Sequence, residues 1–256
     1  KKRNLWNITK NKKNNYTLAM FYMRKNDAES LAMFKKMVEA NALDLTKNNN
    51  QLITEACVND SVKFLEVIDK TGFNILEDIE RDLNVSIVQK SFDCFDYFLT
   101  KDIDFSKFDQ TNTAKLAIQY RSLDMLKALA EKGLDLNQDS GDLLCFATYY
   151  IEKDIVKYIL ENTNADINFA NSYVLLSFCK VGDVEFMKYL VSKGIDTTVF
   201  ADSALRTAAK YGNLDLVKYF IENKISYSSK DSIEMALGQA EENHQTHVYE
   251  YLKTCL

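Results

Sequence analysis

Apolar positions recur along this chain in a pattern of short, paired helices. The clearest copy lies between Ser203 and Tyr227, where two apolar stripes at helical spacing flank Gly212 and Asn213. Glycine tolerates the left-handed conformation that ends many helices, so Gly212 predicts the end of the first helix. The second stripe consists of Leu216, Val217, Phe220 and Ile221. Two helices this short bury little surface alone, which predicts that neighbouring copies cover them.

The second helix of this pair recurs at a steady spacing. The same apolar position occurs in each copy of this helix, at separations of 33, 31, 30, 31, 30 and 31 residues. We call the residues at this position anchors and predict that they are buried: Val62, Phe95, Leu126, Val156, Met187, Val217 and Val248. A fixed period of this length is typical of repeats that stack into one continuous core. The sequence therefore predicts an all-α solenoid of stacked helix-turn-helix repeats with short connecting hairpins or loops.

The later copies resemble the ankyrin repeat. The resemblance is carried by three segments: AAKYGNLDLVKYFIENK, VGDVEFMKYLVSKGIDT and SLDMLKALAEKGLDLN. This sequence departs from the family at the usual TPLH helix start, where the clearest copy reads Ser203-Ala204-Leu205-Arg206. Divergent arrays of this kind are similar to those of large DNA viruses, protists and bacterial effectors. The resemblance implies a non-catalytic module that binds a protein partner through a concave groove and hairpin tips, to recruit, mask or inhibit it.

The repeat pattern divides the chain into three parts. Residues 1–48 are predicted to form a basic N-terminal arm and a divergent helical cap. Residues 49–230 are predicted to be degenerate ankyrin-like repeats, and residues 231–256 a C-terminal capping helix pair. Terminal copies are expected to differ, because each has to cover one end of the stack.

Composition limits the class of protein and the compartment in which it is expected. The net charge of -5 and the absence of an apolar run of about 20 residues argue against a polybasic nucleic-acid binder and a membrane protein. Five widely separated cysteines without a CxxC pair indicate buried thiols in a reducing compartment. We therefore expect a monomer in the cytoplasm, which for an effector or viral protein includes the host cytoplasm. The hypothesis that the chain binds nucleic acid depends only on the arm from Lys1 to Lys13, which lacks a clustered basic face.

No constellation predicts catalysis. The only histidines, His244 and His247, lack a third ligand at metal-site spacing, and no phosphate-binding glycine motif occurs. We expect no enzyme activity, no catalytic residue, no metal and no cofactor. The alternative is the targeting domain of a larger effector enzyme whose catalytic part lies outside this chain.

The ankyrin resemblance places the last two positions of each first helix in the groove. Tyrosine at such positions offers a large contact area with little rotamer entropy to lose. The predicted groove contacts are Tyr120, Tyr149, Tyr150, Lys180, Lys210 and Tyr211. Three phenylalanines are predicted at the tips between copies, where they either bind the partner or fold back to shield the stack: Phe108, Phe169 and Phe200.

One further column is basic. It lies one residue past the predicted anchors and comprises Lys63, Lys127, Lys157, Lys188 and Lys218. We interpret it as a solvated outward face that keeps the array soluble.

Overall fold

The computed structural model describes residues 12–45, 51–169, 173–225 and 229–256, and the side chains of these residues other than 12–14, 200 and 201. Within these ranges the chain is helical and contains no strand. The helices, in chain order, are α1 Lys12–Lys25, α2 Ala28–Glu39, α3 Gln51–Val58, α4 Val62–Asp69, α5 Ile79–Gln89, α6 Phe92–Leu99, α7 Gln110–Gln119, α8 Leu123–Glu131, α9 Ser140–Tyr149, α10 Lys153–Asn162, α11 Tyr173–Val181, α12 Val184–Ser192, α13 Val199–Lys210, α14 Leu214–Glu222, α15 Lys230–Glu242 and α16 Thr246–Lys253.

The helices form two compact units of stacked pairs. In the unit ending at Asp135, the first helices of the pairs (α1, α3, α5, α7) contact one another in sequence, and α2, α4 and α6 form a second layer. In the unit from Leu136, α9, α11, α13 and α15 form the layer of first helices, and α12, α14 and α16 pack beside one another. The predicted all-α stack of helix-turn-helix repeats is confirmed.

The second helices bury the predicted apolar stripe. In α14 the buried side chains are Leu216, Val217 and Phe220, and the matching positions are buried in α4, α6, α8, α10 and α12. In the terminal helix α16 only Val248 of the three matching positions is buried. Burying such a side chain contributes about 1.5–3 kcal/mol. One predicted anchor is wrong: Val62 is the half-buried first residue of α4, and Leu65 fills the anchor position. A shift of three residues preserves helical spacing, which is why the pattern alone admitted both.

Each pair turns through one residue with a positive φ angle. These residues are Asn26, Asp60, Lys90, Arg121, Ile151, Gly182, Gly212 and His244. At six of these turns the next backbone N–H donates to a carbonyl five residues earlier, as from Ser61 to Ala56 (2.8 Å) and from Asn213 to Ala208 (3.0 Å). At Asn26 and Gly182 the N–H of the turn residue itself donates to a carbonyl four residues earlier. These are Schellman and related left-handed helix ends, which normally select glycine. Only two of the eight turns carry glycine, so packing imposes the conformation on the other residues.

Polar side chains after these turns bind the preceding pair. The Ser61 hydroxyl donates to the Met23 carbonyl at 3.0 Å, and the Ser91 hydroxyl donates to the Cys57 carbonyl. The Asn213 amide donates to the carbonyls of Cys179 (2.8 Å) and Lys180 (3.0 Å). Carbonyls at the end of a first helix have no partner within the helix, so these bonds both cap one pair and attach the next.

The lysine column has a structural role in the second unit. The ammonium groups of Lys157, Lys188 and Lys218 lie 5.4, 5.9 and 5.7 Å from the ring centroids of Tyr189, Tyr219 and Tyr251. Each ring belongs to the following helix pair, so the column is a series of cation–π contacts between repeats. Its interpretation as a merely solvated face is therefore incomplete.

The connections between pairs are turns held by aspartates. Asp104, Asp166 and Asp196 each accept a hydrogen bond from the backbone N–H two residues later. In the second unit, consecutive connections are also joined, because the Asn168 side chain accepts from the Asp196 N–H at 2.7 Å and donates to the Gly194 carbonyl at 3.2 Å. Side-chain hydrogen bonds thus hold these connections, as backbone hydrogen bonds between strands hold a β-hairpin.

Candidate protein-contact surface

The second unit presents an exposed cluster at the ends of three first helices. It is formed by Tyr149 and Tyr150 at the end of α9, Lys180 and Val181 at the end of α11, and Lys210 and Tyr211 at the end of α13, and we call it the Tyr–Lys patch. These helices lie side by side, so equivalent end positions occur on neighbouring helices. Five predicted contact residues thus lie at the ends of three adjacent helices, together with Val181.

The two tyrosines of α9 differ in role. Tyr149 is 68% exposed, whereas Tyr150 is half-buried at the helix C-cap. The Tyr150 ring meets Phe146 and Tyr149 edge-on, with both centroid distances 5.1 Å. Tyr150 therefore holds the exposed Tyr149 ring in place, and Tyr149 supplies the open contact area.

Two lysine ammonium groups lie close to the Tyr211 ring. Its ring is 47% exposed, and the ammonium groups of Lys180 and Lys210 are both 6.0 Å from its centroid. Val181, 43% exposed, adds apolar surface at the end of α11. Exposed aromatic and aliphatic side chains on adjacent helices form the kind of apolar surface that marks interaction sites.

The lysines of the patch differ from the ion-paired lysines of the same unit. Lys153 binds Asp183 at 2.5 Å, Lys188 binds Glu185 at 2.6 Å and Lys193 binds Glu161 at 3.6 Å. Among the described residues, the ammonium groups of Lys180 and Lys210 have no carboxylate partner, and both lie beside the Tyr211 ring. Their charge is available to a ligand.

The first unit offers a different surface at the equivalent helix ends. Tyr120 is the half-buried C-cap of α7, so less of this ring is available than of Tyr149. A cleft of about 450 Å³ runs along α5 and is lined by Glu80, Arg81, Asn84, Val85, Val88 and Gln89. Val88 and Gln89 are the last two residues of α5, but the predicted contact residues are tyrosines and lysines and do not include this aliphatic and polar lining.

The three tip phenylalanines have different environments. Phe108 packs edge-on against Phe105, with centroids 5.0 Å apart, and lines a second cleft of about 510 Å³ in the first unit. Phe169 is 47% exposed, and its ring lies where a Cβ on Gly141 would be. Phe200 belongs to the first turn of α13, so its predicted position at a hairpin tip is wrong, because α13 begins four residues before Ser203. Its side chain lies outside the described residues.

The remaining candidate chemistry is sparse. His244 occupies the left-handed turn before α16 and His247 lies in that helix. In the described ranges, no group of three or more His, Cys, Asp or Glu side chains is placed to hold a metal ion. Across the same ranges, no helix combines the length and apolarity needed to cross a bilayer. The basic arm proposed for nucleic acid falls largely outside the described residues, with α1 beginning at Lys12.

The chain consists of helix-turn-helix pairs whose first and second helices form two layers. This arrangement defines a helical-repeat protein. Residues 144–231 match the family model of ankyrin repeats (3 copies). The predicted resemblance to ankyrin repeats is therefore confirmed, and the family model places it in residues 144–231. Ankyrin repeats generally mediate protein–protein interaction.

Similar proteins come from two large DNA viruses. One ankyrin repeat protein of Acanthamoeba polyphaga mimivirus is 28% identical over 156 residues, covering 60% of this chain and 53% of the relative. A second mimivirus protein is 33% identical over 99 residues, covering 38% and 46%. A Fowlpox virus (strain NVSL) protein is 26% identical over 128 residues, covering 47% and 90%. The chain spans 13%, 53% and 18% of the first three mimivirus relatives it matches.

A solved structure also aligns with the chain. The ankyrin repeat domain of Bcl-3, a member of the IkappaB protein family, has a TM-score of 0.49 at 19% identity. The alignment covers 72% of this chain and 96% of that domain.

Proposed function

We propose that this chain is a protein-binding module and that the Tyr–Lys patch contacts the partner. The observation that carries the proposal is the exposure of Tyr149, Val181 and Tyr211 at equivalent ends of adjacent first helices. Large apolar side chains held on rigid helices lose little entropy when a partner covers them. Binding by mass action would recruit, mask or inhibit the partner without catalysis by this chain.

The experiment compares partner capture by the wild type and by a Tyr149→Ala, Tyr211→Ala variant. Immobilised protein is exposed to extract from cells in which the gene is expressed, and captured proteins are quantified by mass spectrometry. Removal of hot-spot aromatics typically costs about 2 kcal/mol or more each, so we expect specific capture to fall by at least tenfold.

Tyr173→Ala is the matched control. Tyr173 is an exposed tyrosine of the same unit, but it lies at the opposite end of α11. The control should capture normally, and all variants should keep the wild-type thermal unfolding midpoint. Equal capture by the double variant and the wild type would show that the contact surface lies elsewhere.

A further inference from the structure

The Tyr–Lys patch contains two positively charged side chains, Lys180 and Lys210, as well as apolar surface. We infer that the Tyr–Lys patch selects an acidic peptide segment with an aromatic or aliphatic anchor; this inference rests on the proposed function and specifies its partner. Its starting point is that Lys180 and Lys210 lack carboxylate partners among the described residues and flank an exposed ring.

The geometry fits a mixed acidic and apolar ligand. An ammonium group 6.0 Å from the Tyr211 centroid is attracted to the face of the ring and still has N–H donors directed to solvent. A ligand carboxylate would bind these donors while its apolar neighbour covers Tyr211 or Val181. The two lysines are on successive repeats, so they would bind two separate carboxylates along an extended peptide.

The charge pattern also limits how far the acidic segment extends. At the end of α15, the next first helix, the residues corresponding to Lys210 and Tyr211 are the exposed Glu242 and the half-buried Asn243, and the preceding Glu241 is also exposed. The Glu242 carboxylate accepts a hydrogen bond from Gln239 at 3.1 Å within the same helix. A polyanion running across all four pairs would meet these like charges. Acidic residues of the ligand should therefore face α11 and α13 and should not extend to α15.

A simpler reading of the lysines is that they stabilise their own helices. Cations near helix C-termini interact favourably with the helix dipole, and Lys180 and Lys210 occupy such positions. That role affects stability and gives no preference among ligands. Binding selectivity therefore separates the two readings.

The test uses three fluorescein-labelled 15-residue peptides that share one tryptophan and differ only in their flanking residues, which are Glu, Gln or Lys. Binding is measured by fluorescence anisotropy, and the affected residues are mapped by amide chemical shifts. We expect the Glu peptide to bind tightest and to weaken as salt rises from 50 to 500 mM. Lys180→Gln and Lys210→Gln should each weaken it about threefold, the value expected for an exposed ion pair.

Lys188→Gln is the control, because Lys188 is already paired with Glu185 on a second helix. It should leave the affinity for the Glu peptide unchanged. Equal affinity for the Glu and Gln peptides, or insensitivity to both patch lysines, would overturn the inference. Tighter binding of a 15-nucleotide oligothymidine than of the Glu peptide would also overturn it, in favour of nucleic acid.

The two proposals fail in different ways. If all three peptides bind equally and Tyr149→Ala weakens them all, the acidic preference is wrong and the contact surface stands. If Tyr149→Ala with Tyr211→Ala changes neither peptide binding nor partner capture, the proposed contact surface itself is wrong.

Discussion

Gly182 tests whether the turns join successive repeats or only end helices. Its φ angle is +80°, and a Cβ at this position would fall on the side chain of Asn213 from the next pair. Gly194 provides a matched control in the same unit, with φ +87° and no atom within 4 Å of a Cβ. Substituting alanine at each site therefore separates backbone strain from the loss of the contact between pairs.

The expected costs differ because of the Asn213 hydrogen bonds. Left-handed alanine costs about 1–2 kcal/mol, offset by about 0.5–1 kcal/mol from the lower entropy of the unfolded chain. Gly194→Ala should therefore destabilise by about 1 kcal/mol. Gly182→Ala should also displace the Asn213 amide from the Cys179 and Lys180 carbonyls, at about 1 kcal/mol for each bond, giving a total near 3 kcal/mol.

The assay is urea unfolding followed by circular dichroism, with the free energy compared among Gly182→Ala, Gly194→Ala, Asn213→Ala and the combined Gly182→Ala, Asn213→Ala variant. If the methyl group acts through Asn213, the combined variant should cost about 2 kcal/mol less than the sum of its two single variants. Equal costs at the two glycines, or strict additivity with Asn213→Ala, would refute the idea that Gly182 makes room for the next repeat.

Three further predictions concern single sites. Ile151 is β-branched and has a φ angle of +57°, so Ile151→Gly should raise the unfolding free energy by about 0.5–1 kcal/mol, measured as a higher urea midpoint, through relief of left-handed strain. Burial and the Glu161 carboxylate raise the pKa of Tyr189 to about 12, so ionisation of the unfolded chain should lower stability as pH rises above 10, and Tyr189→Phe should reduce that alkaline slope in thermal unfolding. Maleimide should label half-buried Cys145 and Cys255 in the native protein, while mass spectrometry finds label on the buried thiols only after unfolding: Cys57, Cys94 and Cys179.

The sequence predicted the helix pairs because their apolar stripes follow helical geometry. Leu216, Val217 and Phe220 are buried as expected, and Gly212 ends α13 through a positive φ angle. Pattern alone did not fix the register of α4, since Val62 and Leu65 lie three residues apart on one face of a helix. Contacts with neighbouring pairs decide between two such positions, and those contacts are not local in sequence.

The left-handed turns show a second limit of local reasoning. Gly182 and Gly212 are recognisable helix stops, but Lys90, Arg121 and Ile151 adopt the same conformation without a glycine signal. Packing imposes these turns, because the second helix has to begin at a point from which its apolar side chains contact the preceding helix pair. Likewise, the sequence placed lysine and tyrosine in second helices, but only the separation of successive pairs brings the Lys188 ammonium group over the Tyr219 ring.

The end of each first helix takes part both in the stacking of repeats and in the proposed binding surface. Variants that test binding therefore have to leave the stacking contacts unchanged. The residue immediately before the left-handed turn is the helix C-cap, and Tyr150 and Tyr211 occupy that position. Tyr150 is half-buried against Phe146, so its removal disturbs the turn as well as the surface. The preceding residue, Tyr149, is mostly exposed. Loss of binding in Tyr149→Ala with an unchanged unfolding free energy would therefore report contact with a partner, whereas the same loss in Tyr150→Ala would not separate contact from stability.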